Sequence, residues 1–457
     1  MAALPAHKSA ILSKLVESSP DRVVASLQMA LADTVDDSAL GCVRRLVEAE
    51  VADRAFRGAV LSPVVPMFVG LGDSARTLTF PSRALPMIWR GLKAVEGEAV
   101  ARSLNASETP EKSHGLVDGY DQLVTAAARG IRAGETSDFR AAAAACDLGR
   151  PGGAAALASC LEIAAVVRRA TGKLPSWIAH AGGETPAAAR VAYNDAVEIA
   201  EDSGPRFFEM LAAQLSQPWM VLRIISAVME RPTERYMADT ELAVFVLKVM
   251  EDIDLAVAAI DSLDAESGPG TGQAMARITE IAVGQIAEIE TNFELTNKRG
   301  WGNRAHKQRL RLAAVVEGQL RDAEAAALEA LPMHATRLHG VQRTLPNLEG
   351  PPDPLRVNRA STLLSFTEHL RTAANYGGFS TPRLKLIEKL KEFVANYVED
   401  VLGLIRSGDA GDLTNAAAYL EVAADFSDRV AGEKAGELVR RRAQAALTPQ
   451  SPIQAQN

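Results

Sequence analysis

Residues 272–293, GQAMARITEIAVGQIAEIETNF, and residues 304–331, RAHKQRLRLAAVVEGQLRDAEAAALEAL, decide the fold. In both segments apolar residues recur at spacings of three and four, which places them along one face of a helix. Between the segments, Gly300 and Gly302 favour a turn. The sequence therefore predicts an antiparallel helical hairpin over 272–331 that buries both apolar stripes. The stripe residues are Met275, Ile278, Ala282, Ile286, Ile289 and Phe293 in the first arm, and Leu310, Ala313, Val316, Leu320, Ala323, Ala327 and Leu331 in the second.

The turn of this hairpin is strongly basic, because residues 298–311 contain six Lys or Arg residues and no acid. Cations in the first turn of a helix are disfavoured by a few tenths to about 1 kcal/mol each, since they face the positive end of its dipole. Arg304, Lys307 and Arg311 also share one helix face. A sequence that breaks a local preference indicates a site for phosphate, nucleic acid or an acidic protein surface. The candidate residues for anion or partner binding are Lys298, Arg299, Trp301, Arg304, Lys307, Arg309 and Arg311.

A second interpretation of the same turn is a solvated hairpin tip, whose tryptophan packs against a neighbouring helix. Abundant arginine weakens any functional interpretation of single arginines, since only 12 of the 49 basic residues are lysine. Together with the abundant alanine, this is the coding bias of a GC-rich bacterial genome. The choice between a binding site and a solvated tip stays open at this point.

Composition favours an all-α fold. Aromatic residues make up only 5% of the chain, and alanine is abundant in runs such as 141–145, which suits closely packed helices better than sheets. A further helix over 239–264 carries Leu242, Phe245, Val249, Ile253, Ala256 and Ile260 on one face. We expect it to form the buried core against which the hairpin packs. The predicted fold is an irregular multi-helix array containing the long antiparallel hairpin and a C-terminal helical bundle.

Breaks rich in Gly and Pro divide the chain into regions. The first lies at 149–153, and the second at 346–354 contains four prolines, which makes it the strongest candidate boundary. The last residues are rich in Gln, Pro and Ser and are expected to be disordered. The predicted regions are an N-terminal helical region 1–147, a central helical core 154–345, a C-terminal helical bundle 355–447 and a disordered tail 448–457.

The cysteines and the apolar segments indicate a soluble protein of the bacterial cytoplasm. Three sparse cysteines, Cys42, Cys146 and Cys160, argue for reduced thiols rather than a disulfide framework. The N-terminus lacks the continuous apolar core of a secretory signal. The most apolar segments, Trp219–Met229 and Leu242–Met250, are too short to span a bilayer. The net charge of −8 does not favour general binding to nucleic acid or anionic membranes, so any such contact is a local patch.

No catalytic constellation emerges from the motifs. Ser267 to Gln273 has the glycine content of a phosphate-binding loop, but Gln273 and Ala274 stand where the chemistry requires Lys and Ser or Thr. The single Glu-x-x-His pair, Glu111 and His114, falls in a segment that contains proline, whereas a helical di-iron site needs two such pairs on helices. The sequence therefore predicts no catalytic, cofactor-binding or metal-binding residue.

Three functions remain as hypotheses. The first is a non-enzymatic scaffold, adaptor or regulator that acts through protein–protein contacts, with self-association as one form of it. The second is an anion-recognition module that uses the basic turn 298–311 on nucleic acid or a phosphorylated ligand. The third is a helical enzyme acting on a small or lipid-like substrate in the hydrophobic centre of the chain. The balance favours a non-enzymatic protein with an unidentified protein partner and no cofactor.

Overall fold

The structure is a computed structural model that describes residues 5–34, 38–69, 78–107, 113–179, 185–200, 202–229, 231–296, 300–338 and 341–448. Within these ranges the chain forms 22 α-helices and two two-stranded sheets, which confirms the predicted all-α fold. The residues gather into two compact units, Met1–Glu230 and Arg231–Asn457. The finer division into three regions stays a prediction. The predicted tail lies outside the described residues, except for Thr448.

Where the structure describes it, the first unit consists of helices, their connections and one short parallel pairing of two strands. Two of the helices with described ends begin with an N-cap side chain: Ser38 Oγ accepts from Gly41 N at 2.9 Å, and Thr136 Oγ1 accepts from Phe139 N at 3.1 Å. The elements are α1 Ala6–Ser18, α2 Asp21–Leu31, α3 Ala39–Val60, a 3-10 helix Val65–Met67, β1 Phe68–Val69, β2 Phe80–Pro81, α4 Ala84–Val95, α5 Gly97–Ser107, α6 Ser113–Ala133, α7 Ser137–Gly149, α8 Gly153–Glu162, α9 Ala164–Thr171, α10 Leu174–Ala179, α11 Thr185–Val197, α12 Ser203–Gln214, a 3-10 helix Pro218–Met220 and α13 Val221–Val228.

Arginine side chains close the C-terminal ends of helices in this unit. The last carbonyl groups of a helix have no partner within it, so they need donors from elsewhere. Arg168 donates from Nη1 to Ala59 O at 2.8 Å and from Nη2 to Val60 O at 2.6 Å, at the end of α3. Asp121 Oδ1 accepts from Arg168 Nε at 3.0 Å and so orients the guanidinium. Arg54 binds the last carbonyl groups of α1 in the same way. These arginines therefore serve the fold.

The Arg168→Met variant should lose about 2–3 kcal/mol of unfolding free energy, because the carbonyl groups at the end of α3 and the Asp121 carboxylate lose their donor together. Urea unfolding measures this loss as a lower midpoint at an unchanged slope. Arg169→Met is the matched control: its side chain is 59% exposed and only its long ion pair of 3.9 Å with Asp121 is lost, so its effect should stay within about 0.5 kcal/mol. Equal losses in the two variants would contradict the capping role.

The second unit contains the predicted hairpin and the C-terminal helices. Its one described sheet is an antiparallel pair of strands, in which Met333 lies opposite Pro346 and Leu338 lies opposite Val341. The elements are α14 Glu234–Ala238, α15 Ala243–Asp261, α16 Pro269–Asn292, α17 Gly300–Ala330, β3 Met333–Leu338, β4 Val341–Pro346, α18 Pro354–His369, α19 Arg371–Gly377, α20 Ser380–Ser407, α21 Leu413–Ala431 and α22 Glu433–Leu447.

Helices α15 and α17 are parallel neighbours. Gln308 Nε2 donates to Met250 O at 2.7 Å, and Gln319 Nε2 donates to Ile260 O at 3.1 Å. On both helices the second hydrogen bond lies closer to the C-terminus than the first, by about the same number of residues. The two helices therefore run side by side in the same direction. A glutamine that binds a neighbouring helix backbone also fixes the register of the pair, since a buried carbonyl group must keep its donor.

Helices α16 and α18 form the second parallel pair of the bundle. Asn358 Nδ2 donates to Glu266 O, and Gly272 lies directly against the backbone of Thr362 and Phe366. Each of α16 and α17 packs against both α15 and α18, and the two touch each other across the centre. The hairpin arms are therefore diagonal partners in a four-helix bundle, and α15 and α18 cover much of their buried faces.

Two details differ from the sequence prediction. The predicted turn residues Gly300 and Gly302 lie in the first turn of α17, so the connection ends before them. Leu310, which the second stripe was expected to bury, is 57% exposed, whereas Leu312 is fully buried. The buried face of α17 follows Ala305, Gln308, Leu312 and Val316 at spacings of three and four, so Leu310 lies off it.

Ion pairs link the helices of the predicted C-terminal bundle. Arg440 on α22 reaches Glu421 at 2.8 Å and Asp428 at 2.9 Å, both on α21. Arg442, also on α22, binds both carboxylate oxygens of Glu399 on α20. Basic residues near the end of the last helix therefore hold neighbouring helices together, beyond any interaction with their own helix dipole.

Candidate functional site

The structure places most of the predicted basic site at the start of α17. Lys298 and Arg299 lie outside the described residues. Trp301 is buried, with 8% of its surface exposed, as expected for a tryptophan that packs against a neighbouring helix. The remaining four cations divide into two that form ion pairs, Arg304 and Arg309, and two that are exposed, Lys307 and Arg311. Binding of an anion or a partner by this set stays a prediction.

A buried carboxylate occupies the N-terminal end of α17. Glu234 accepts hydrogen bonds from Trp301 N at 2.6 Å, Thr296 N at 2.9 Å and Gly302 N at 3.3 Å. Gly300 makes this approach possible: it has φ of 71°, and a Cβ there would lie 1.8 Å from Glu234 Oε1. The backbone N–H groups with which a helix start would bind phosphate are thus already used by the protein itself.

A second acid, Asp254 on α15, neutralises part of the basic face. Its Oδ2 lies 2.8 Å from Arg304 Nη2, and its Oδ1 accepts from Gln308 Nε2 at 2.8 Å. Burial alone would raise the pKa of Asp254, but the hydrogen bonds from Gln308 and Arg304 hold it below its ordinary value. Asp254 is therefore ionised near neutral pH. Glu234 and Asp254 together explain how a helix can begin with several cations, since each supplies negative charge near that end.

The exposed part of the basic face forms a row along α17, which we call the cationic row: Arg304, Lys307 and Arg311. These residues follow one another at spacings of three and four, as the sequence predicts, so they lie on one side of the helix. Among the described residues, no acid forms an ion pair with Lys307 or Arg311. Asp254 binds Arg304 and also interacts electrostatically with Arg311, so the three cations of the row and this acid together carry a net charge of about +2.

The neighbouring helix α15 exposes an apolar stripe that the sequence prediction missed. Val244 is 46% exposed, Leu247 is 39% exposed and Leu255 is 66% exposed. With the exposed Ala258, these residues form what we call the outer stripe, at spacings of three, eight and three. The predicted inner stripe of the same helix is buried, with Ala256 half-buried: Leu242, Phe245, Val249, Ile253, Ala256 and Ile260. Helix α15 therefore has a covered apolar stripe on one side and an uncovered one, interrupted by Glu251, on the other.

A cleft between α5 and α6 in the first unit is an alternative site. It is open to solvent, has a volume of about 810 Å³ and has acidic and basic walls. Two of its carboxylates are engaged: Glu96 lies 3.3 Å from Arg129, and Asp121 lies 3.0 Å from Arg168. These ion pairs neutralise part of the charge on its walls and so weaken the field that a charged ligand would meet. The cleft is thus a weaker candidate than the α15–α17 surface.

Comparison of the chain with protein-family models, curated proteins and solved structures finds no match. Within the described ranges, no group of three or more His, Cys, Asp or Glu side chains is placed to hold a metal ion. No helix in the described part of the chain is long and apolar enough to cross a membrane. The functional argument therefore depends on the surfaces of the chain itself.

Proposed function

We propose that the chain is a non-enzymatic scaffold or adaptor that binds another protein through the outer stripe of α15. The observation that carries this proposal is a helix with one apolar stripe buried in the bundle and four further apolar residues, Val244, Leu247, Leu255 and Ala258, exposed around Glu251 on its outer side. A surface helix normally has polar residues on the side opposite its buried stripe. The uncovered side of α15 therefore has the character of an interface without its partner.

The energetics of the stripe support the same conclusion. Burying apolar surface is favourable by about 25 cal/mol per Å², so covering several exposed Val and Leu side chains gives a useful share of a binding free energy. Because α15 packs against α16 and α17, its outer stripe is held on a rigid element. A preformed surface loses little conformational freedom on binding, which leaves more of that free energy for affinity.

The proposal places the protein in the bacterial cytoplasm, in keeping with its thiols. Cys42, Cys146 and Cys160 are all free. Burial raises the pKa of Cys146 to about 12, and burial also raises the pKa of Cys160. These two thiols are therefore protonated and unreactive at neutral pH, as structural cysteines in a reducing compartment are.

Photo-crosslinking in the native cells tests the proposal. Leu255 is replaced by p-benzoylphenylalanine, and Leu438, which is 57% exposed on α22, receives the same replacement as the matched control. We expect irradiation to give one defined protein adduct at position 255 and none of the same mass at position 438. Equal adduct patterns at the two positions would contradict an interface on α15.

The double variant Leu247→Gln/Leu255→Gln should abolish recovery of that crosslinked protein with the purified chain, while its unfolding free energy stays within about 1 kcal/mol of the parent. Both side chains already face solvent, so folding loses little when they become polar. Thermal unfolding checks the stability, and mass spectrometry of the co-purified material checks the binding. Unchanged recovery of the partner would argue against the outer stripe as its binding surface.

A further inference from the structure

We infer that the partner segment is an amphipathic helix whose flank facing α17 is acidic. The inference depends on the function proposed above and adds the chemistry of the partner. It follows from the way the two helices lie side by side: the outer stripe of α15 and the cationic row of α17 border the groove between these helices. Apolar anchors on one side and an excess of positive charge on the other together define one kind of ligand.

The helix geometry puts the stripe and the row on the same outward side of the groove. Asp254 faces α17, where it contacts Arg304 and Gln308. At about 100° per residue, Leu247 and Leu255 lie roughly 20° and 100° from Asp254 around α15, on the solvent side. On α17 the cationic row likewise lies on the side of Gln308 that faces solvent.

The length of the groove matches a short helix. The outer stripe extends from Val244 to Ala258, which is about 21 Å at 1.5 Å per residue. A partner helix of about four turns covers this length and places its apolar residues, at spacings of three and four, against Leu247 and Leu255. Helix-in-groove recognition uses such a pattern of anchors, and α15 and α17 supply two parallel walls for it.

The charges along the groove determine which charge the facing flank of the partner helix needs. Asp254 offsets one of the three positive charges of the row through its contact with Arg304 and its interaction with Arg311, which leaves a net charge of about +2 along this wall. Carboxylates on the partner would complement it. Glu251 is the exposed acid within the stripe. The partner therefore needs a polar or basic residue at that point, which would fix the register of its helix.

Nucleic acid fits this surface less well. A phosphate backbone has no apolar groups to cover Leu247 and Leu255. The backbone N–H groups at the start of α17, which would otherwise bind a phosphate, already bind Glu234. A protein helix uses both walls of the groove, whereas a polyanion would use only the cationic row.

Two synthetic helical peptides test the inference on the full chain. Both have the same leucines at spacings of three and four; one has glutamates on the flank, and the other has lysines. Fluorescence anisotropy measures the dissociation constant of each at about 0.05 and 0.5 M NaCl. We expect the glutamate peptide to bind about tenfold more tightly than the lysine peptide, and to lose most of that advantage at high salt.

Two charge-reversal variants distinguish binding in the groove from a general effect of net charge on peptide binding. Lys307→Glu/Arg311→Glu should weaken the glutamate peptide about tenfold or more and reverse the preference. Lys385→Glu/Lys434→Glu changes the net charge equally at exposed lysines on α20 and the start of α22, and it should leave both dissociation constants within about twofold.

The outcomes distinguish this inference from the function it depends on. If Leu247→Gln/Leu255→Gln abolishes binding of both peptides while Lys307→Glu/Arg311→Glu changes neither, α15 is the interface and the acidic flank is wrong. If neither peptide responds to the stripe variant, both proposals fail. Two further results would contradict an acidic partner helix. One is binding of duplex DNA that is lost in Lys307→Glu/Arg311→Glu and unchanged in Leu247→Gln/Leu255→Gln. The other is a dimer, detected by light scattering, that Leu255→Gln dissociates.

Discussion

Gly272→Ala is expected to lower the free energy of unfolding by about 3 kcal/mol. A Cβ at this position would lie 2.1 Å from Thr362 O and 2.9 Å from Phe366 N. Both atoms belong to the backbone of α18, so no side-chain rotation relieves the overlap. The two helices must separate, and the loss then spreads to the apolar contacts around them because packed interiors tolerate little expansion. Thermal or urea unfolding measures the effect.

Gly270→Ala is the matched control for this prediction. It lies in the same helix two residues earlier, and a Cβ there would meet no atom within 4 Å. We expect between no change and a gain of about 1 kcal/mol, since alanine restricts the unfolded chain and favours the helix. The two substitutions are chemically identical, but only Gly272→Ala should lower the unfolding free energy. A loss of similar size at both positions would contradict the close α16–α18 contact.

Glu234→Ala should also cost about 3 kcal/mol, because three backbone N–H groups lose their common acceptor. Burial of Glu234, at 8% exposure, keeps water from replacing the carboxylate fully. Glu234→Gln should be intermediate: its carbonyl oxygen keeps one acceptor, while its amide NH₂ faces other donors. Hydrogen exchange of the Trp301 and Gly302 amides should accelerate in both variants, which locates the loss at the start of α17.

Glu280→Ala provides the comparison for Glu234. Glu280 is an exposed acid on α16, so its removal should change the unfolding free energy by less than about 0.5 kcal/mol. If Glu234→Ala has an effect as small as this, the carboxylate does not hold the start of α17. The anion-binding capacity of that helix end would then be available to an external ligand, and the nucleic-acid or phosphate hypothesis would gain support.

Much of the fold could be predicted from helical periodicity alone. The hairpin helices and the inner stripe of α15 depend on apolar residues repeated over several turns, and such patterns identify a helix and its buried face. Phe245, Ile253 and Ile260 are buried as the spacing predicts. The start of α17 was harder to predict, because Gly300 and Gly302 are typical of turns, and the acid that caps this helix, Glu234, lies far away in the sequence.

The candidate site could be predicted only in part, because its decisive contacts join residues far apart in the chain. The alignment of Arg304 and Lys307 follows from their spacing. The pairing of Arg304 with Asp254 does not, since the two residues lie on different helices. The cap is equally hidden, because Glu234 precedes the start of α17 by more than sixty residues and no local pattern marks it. The outer stripe was visible in the sequence as apolar residues on a second side of α15, but only the structure shows that this side is uncovered.

The most direct test of the interface is the reactivity of a cysteine placed in the stripe. In a Cys42→Ser background, where the two remaining native cysteines are buried, Leu255→Cys and Leu438→Cys are labelled with a membrane-permeant maleimide. We expect both variants to react rapidly as purified proteins. In intact native cells, Leu255→Cys should be protected and Leu438→Cys should not. If Leu255→Cys reacts in cells as fast as in the purified protein, α15 is not covered by a partner and the account is wrong.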